Sequence, residues 1–140
     1  MSQRNVELHR RANQAFNTRD VEAYIAHCHP EIELYSSVTG SHRGHEGVRA
    51  WHRELTDAFG HELHVEPHAY FDLGEHTLSF HRLYGRGKHS GAEVATPAAH
   101  LCRWRHGVIV YFKGYRGMER RSEVARDLGI SEADLRPIDP

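Results

Sequence analysis

The sequence predicts an α+β domain in which a cone-shaped, curved, mainly antiparallel sheet wraps round one long helix, with an N-terminal helical hairpin in front of it. Two observations carry this expectation. Up to Phe59 the apolar residues recur mostly at helical spacing, with one short strand between, whereas from Leu63 to Tyr115 they alternate. The order is therefore helix, helix, strand, helix and then four long strands joined by hairpins, which places the helices on one side of the sheet. A length of 140 residues supplies core for one domain, residues 1–140, and a second would be starved of it. Apolar residues at 39% and charged residues at 26% exclude a disordered chain.

Taken in order, Leu8, Ala12, Ala15 and Phe16 fall near helical spacing between Asn5 and Asn17, and Asn17-Thr18-Arg19-Asp20 interrupts them. Asp20 is a good N-cap for a second helix with Val21, Tyr24, Ile25 and Cys28 at i, i+3, i+4 and i+7, and Pro30 prevents its continuation. Ile32 and Leu34 alternate with Glu33 and Tyr35 as a half-buried strand, and Ser36 to Arg43 reads as a polar loop. From Gly44 onward, Val48, Trp51, Leu55 and Phe59 form one stripe, Glu46 sits in the first turn, and Gly60 is the C-cap. Leu63, Val65, Ala69 and Phe71 open the alternating half. Strands over Thr77–Tyr84, Glu93–Trp104 and Val108–Tyr115 follow, separated by turns at Asp72-Leu73-Gly74-Glu75, Gly85-Arg86-Gly87 and Arg105-His106-Gly107. Ser122 to Leu128 reads as a last helix stopped by Gly129, with Ser131 placed to cap one more turn before Pro137.

Several classes of function are disfavoured by composition. The longest apolar run, Val108 to Phe112, is far short of the roughly 20 residues a bilayer demands, and MSQRNVELHR lacks an apolar leader segment, so a cytoplasmic location is expected. A net charge of −1 without any basic block makes nucleic acid an unexpected partner. Arg103, Arg105 and Lys113 read as a solvated sheet face. Cys28 and Cys102 are too few for a disulfide framework and read as buried free thiols. The unusual feature is 14 histidines. His27 with His29, His42 with His45, and His61 with His64 and His68 all break the spacing of zinc motifs, so neither a metal nor another cofactor is expected.

The segments FNTRDVEAYIAHCHPEIELYS, GHEGVRAWH, GRGKHSGAEV and RWRHGVIVYFKGY, followed by a helix ending LGI, carry a resemblance. They resemble the SnoaL-like branch of the superfamily that includes nuclear transport factor two, polyketide cyclases and ketosteroid isomerase. The resemblance runs from about Asn5 to Ile130 and implies the cone with one open mouth. Ketosteroid isomerase needs a base on its first strand and two donors, a tyrosine and a protonated aspartate. Aligned by hand, the tyrosine falls at Ala12, the base near Ser36 and the aspartate at Ala99, while Pro97 and His100 match the local pattern. None of the three groups is present, so steroid isomerisation by that route is not expected. The acid of SnoaL-type cyclases has no convincing equivalent either.

The same resemblance bounds a mainly apolar cavity by Phe16, Tyr24, Trp51, His52, Leu55, His81 and Tyr115. His81 is the catalytic candidate, since an imidazole moves protons near neutrality. It faces the cavity with Ser79 and Leu83, unless Leu78 and Phe80 do so instead, because a one-residue parity change inverts every side chain. Trp51 is core by its place on the apolar stripe and also lines the pocket, with His52 at its edge. The expected function is binding of a small apolar organic substrate, with isomerase, cyclase or lyase chemistry, or else a non-catalytic ligand-binding or dimerisation module. A homodimer is expected, formed through a half-apolar outer sheet face.

Overall fold

Asp20 divides the helical hairpin. Its backbone is extended (φ −96°, ψ 105°) and its Oδ1 accepts the Glu22 N–H at 3.0 Å, which starts a new helix at Val21. The structure, a computed structural model, describes residues 2–87 and 90–138, so Lys88 and His89 of the GRGKHSGAEV segment lie outside it. Helix α1 spans Ser2–Asn17 and α2 only Val21–Ile25. Cys28 and Pro30, expected to end α2, instead belong to strand β1 (Cys28–Ser36). The Ile109 N–H donates to the His27 carbonyl at 2.8 Å and draws the chain onto the sheet. Pro30 is tolerated there because the register with the neighbouring strand is broken between Cys28 and Glu33.

The expected loop after Ser36 contains a short strand, β2 (Gly40–Arg43), paired antiparallel with β1. Helix α3 (Gly44–Phe59) follows at once, and strands β3 (His64–Leu73), β4 (His76–Arg86), β5 (Glu93–Arg105) and β6 (Val108–Arg116) complete the sheet. The strand order is β2-β1-β6-β5-β4-β3, with β1 and β6 parallel and every other pair antiparallel. The sheet is open, with β2 and β3 as its edges. Helix α3 packs against β1, β2 and β4, strands from both halves of the sheet, which requires the sheet to curve round it. Bulges between Pro67 and Ala69 and between Arg103 and Trp104 add to that curvature. Among the described residues no helix is long and apolar enough to cross a membrane.

The core has two layers. Between the helices and the concave face lie Phe16, Tyr24, Ile32, Leu34, Trp51, Leu55 and Phe112. Behind the sheet, Phe71, Leu78, Phe80, Ala99, Leu101 and Tyr115 lie under Val124 and Ala125 of helix α4 (Arg120–Leu128). Helix α4 therefore departs from the expected one-sided arrangement and covers part of the outer face that the dimer expectation assumed to be open. Its attachment is polar as well as apolar. Tyr115 Oη and Lys113 Nζ both donate to Asp127 Oδ2 at 2.6 Å, and the Arg120 guanidinium stacks 4.6 Å from the Phe80 ring centroid. A final turn at Glu132–Asp134 is capped by Ser131, as its sequence predicts.

Candidate functional site: a buried imidazole pair at the mouth of the cone

Alternation along β4 turns Thr77, Ser79, His81 and Leu83 toward the helices, and Leu78 and Phe80 toward α4. Along β5 the inward set is Ala98, His100, Cys102 and Trp104, and Ala99 belongs to the outer cluster. The hand alignment that put an acid position at Ala99 is therefore one residue out of phase with the concave face. The inward residues there, Ala98 and His100, carry no carboxylate. Ala12 is buried in the inner core, and Ser36 Oγ accepts the Val38 and Thr39 N–H groups at 3.1 and 3.2 Å.

The inward residues build a polar strip across an otherwise apolar interior. His9 Nδ1 lies 2.7 Å from Thr77 Oγ1, which also accepts the Trp104 indole N–H at 2.7 Å, and His9 Nε2 lies 3.9 Å from Cys102 Sγ. Asn13 Nδ2 donates to Tyr70 Oη at 3.0 Å. Ser79 Oγ and His81 Nδ1 are 3.1 Å apart, and the His81 and His100 rings meet edge to face with centroids 4.2 Å apart. His81 Nε2 and His100 Nδ1 find no hydrogen-bond partner among the described residues, although both are buried. Burial, and next the neighbouring imidazoles, lower the pKa of His9 to about 3 and that of His81 to about 3. Burial and then His81 hold His100 well below the usual histidine value. All three are neutral at pH 7.

His100 borders a narrow cleft of about 30 Å³, room for one water-sized group, walled by Phe16, Trp51, Leu55, Leu83 and Phe112. Ser36, Ser37 and Val38, where β1 turns toward β2, and Arg116 at the end of β6 complete it. Of the residues expected to line a cavity, Phe16, Trp51 and Leu55 do so. Tyr24 packs behind them, its ring 5.6 Å from Trp51 and 6.1 Å from Phe16. His52 is half-buried beyond Phe16, with ring centroids 6.2 Å apart, and does not border the cleft. His81 sits one ring behind His100. Tyr115 touches the cleft, but its ring belongs to the outer cluster and its hydroxyl to Asp127, because Gly114 is the β6 residue opposite His100. Four aromatic rings, Phe16, Tyr24, Trp51 and Phe112, fill much of the cone, so the space left beside His100 is this narrow cleft. A larger depression of about 590 Å³ lies on the outer face between Glu33, His76, Arg103, Tyr111 and Asp127, and neither His81 nor His100 borders it.

His9 and Asn13 are buried polar residues without a role in the sequence reading, and His100 enters it only as a match to a local pattern. His100 was legible from parity alone, since Cys102 and Trp104 must face inward and His100 shares their phase. His9 and Asn13 occupy the buried face of α1 with Val6, Ala12 and Phe16, so that face is rotated from the Leu8 and Ala15 stripe, both half-buried. Among the described residues no three His, Cys, Asp or Glu side chains converge as a metal site.

The sequence profile of the SnoaL-like domain matches residues 9–112, and the chain belongs to that family. Its fold is shared with an NTF2-like protein of unknown function from Burkholderia pseudomallei (TM-score 0.74, 20% identity, 88% of this chain and 95% of that one). It is similarly close to a putative SnoaL-like polyketide cyclase from Jannaschia sp. CCS1 (0.73, 17%, 88% and 90%) and to TerC co-crystallised with polyporic acid (0.72, 17%, 88% and 98%). At these identities the likeness is one of fold. No curated protein matches the sequence.

Proposed function

We propose that the chain binds a small, mainly apolar organic molecule bearing a hydroxyl or carbonyl, received at the mouth of the cone and anchored on His100. The observation that carries this reading is His100 bordering an aromatic-walled cleft, with two buried imidazole nitrogens, its own Nδ1 and His81 Nε2 one ring behind, left without a partner among the described residues. A buried polar group without a partner costs about 1–3 kcal/mol, and a ligand oxygen satisfies it. The TerC co-crystal with polyporic acid supports the reading, in that a chain of this fold takes an organic ligand.

The same electrostatics favour binding and polarisation over proton abstraction. An imidazole whose conjugate acid has a pKa of about 3 is a weak base, so His81 orients its neighbour while Ser79 fixes its own ring. Isomerase, cyclase or lyase chemistry at this site would draw on a neutral N–H donated to a substrate carbonyl. Calorimetric titration with phenol tests the reading in the wild type and in His100→Phe, which keeps a ring against Phe16 and Phe112 but removes the nitrogen. Saturable binding that weakens at least tenfold in the folded variant is expected. No binding to the wild type, or equal binding to both, overturns it.

A further inference from the structure

We infer that Val38 is the gate of this cleft: a ligand enters as the tip of the β1–β2 hairpin lifts, and the hold of Val38 on the core sets how tightly that ligand binds. This inference rests on the binding function proposed above and adds how the site opens and which residue controls it.

Beside His100 there is room for one water-sized group, so an organic ring is received only if part of the wall withdraws. The walls differ in what holds them. Phe16, Trp51, Leu55 and Phe112 are buried in the inner core, and moving any of them uncovers apolar surface and leaves a void behind it. Arg116 completes the rim from a strand whose backbone is fixed opposite Ala98. The hairpin is the exception. Ser36, at the end of β1, pairs with Gly40 of β2, so Ser37, Val38 and Thr39 form a three-residue tip. Ser37 is exposed, and Val38 and Thr39 are half-buried.

Among the described residues the polar ties of this tip to the rest of the domain are few. The Ser37 N–H donates to the Gly114 carbonyl at 3.1 Å, and Thr39 Oγ1 lies 2.9 Å from His42 Nε2. The bonds that shape the turn, from the Val38 and Thr39 N–H groups, run to Ser36 Oγ within the hairpin itself. The base of β2 is better anchored. His42 Nε2 is 3.4 Å from Glu54 Oε2, and α3 packs so closely there that a Cβ on Gly47 would stand 3.0 Å from His42. Between base and tip, Gly40 has a φ of +87° and nothing within 4 Å of the place a Cβ would take, which suits it as a hinge. Val38 is the one apolar side chain of the tip, and it both borders the cleft and packs against the inner core. A segment with so few buried contacts opens at far lower cost than the aromatic walls. The ligand takes the open form, so its apparent affinity falls with the fraction of molecules in which Val38 stays seated.

Calorimetric titration of phenol into the wild type, Val38→Ala and Thr39→Val tests the gate, with urea denaturation establishing that each variant is folded. Val38→Ala thins the apolar hold and should bind phenol about tenfold tighter than the wild type. Thr39→Val removes the tie to His42 without altering a residue that borders the cleft, and should tighten binding about fivefold. A merely structural role for either residue would leave the affinity unchanged or weaken it. If phenol binds the wild type through His100 and neither variant binds it tighter, the gate falls and the binding function stands. Tightening in Val38→Ala alone also overturns the gate, since the lost methyl groups would then have done no more than widen a static cleft. If phenol does not bind the wild type, the binding function itself fails and the inference falls with it.

Discussion

Acidification should destabilise this protein well before its carboxylates titrate. In the unfolded chain each histidine takes up a proton below its ordinary pKa of 6.5, whereas folded His9 and His81 do so only near 3. Between those values the unfolded state holds more protons, so stability falls as pH falls from 6.5 toward 3 and is fully retained above 6.5. At pH 5 each such imidazole removes about 2 kcal/mol, so the two together remove about 4, and His100 acts in the same direction. That is a large part of the roughly 5–15 kcal/mol a domain possesses. Urea denaturation followed by circular dichroism at pH 7.5, 6.0, 5.5 and 5.0 measures the loss. A His9→Gln variant should flatten the slope by about 1.4 kcal/mol per pH unit below pH 6. Stability unchanged between pH 7.5 and 5.0 would refute the reasoning, since it would mean that these imidazoles protonate in place.

Trp51 is 1% exposed and its ring centroid lies 5.3 Å from that of Phe112, so Trp51→Ala should cost about 3–5 kcal/mol in urea denaturation; less than 1 would show that it is not core. Gly85→Ala would bring a Cβ within 2.5 Å of Phe59 Cβ, and about 1–3 kcal/mol should be lost; an unchanged urea midpoint contradicts the close packing of α3 on β4. Tyr115→Phe removes one of two donors to Asp127 and should cost about 1 kcal/mol, while an outward-facing ring without that bond would cost nothing. The dimer expected from the sequence is left the outer face beside α4, where Tyr35 and Tyr111 lie 5.8 Å apart. Sedimentation velocity at micromolar concentration should show a dimer that Tyr111→Glu dissociates, and a strict wild-type monomer removes it.

Elements whose burial is periodic were legible in the sequence. Helix α3 and the four-strand meander announce themselves because Val48, Trp51, Leu55 and Phe59, and then Leu63 to Tyr115, repeat with the period of their structure. Strand β2 has no apolar phase at all, being exposed or half-exposed throughout, so backbone pairing alone defines it. Cys28 fits a helical stripe by spacing and Pro30 reads as its stop, and only the distant Ile109 N–H, a tertiary contact, draws this segment into β1. The covering of the outer face by α4 depends on where the chain goes after Gly117, which local pattern does not encode. At the site, strand parity identifies who faces inward, but not how far four aromatic rings fill the cone. For that reason His81 stood out in the sequence while His100, one ring nearer the mouth, did not.

The central claim is that neutral His100, which borders the cleft with neutral His81 packed behind it, takes the ligand's oxygen. Long-range ¹⁵N–¹H correlation spectra of the histidine side chains at pH 7, recorded with and without phenol, test it directly. Both rings should appear as neutral single tautomers in the free protein, and a His100 ring nitrogen should shift on saturation with phenol while His9 stays in place. A charged ring at either position in the free protein, or saturable phenol binding that leaves the His100 nitrogens unmoved, would contradict it.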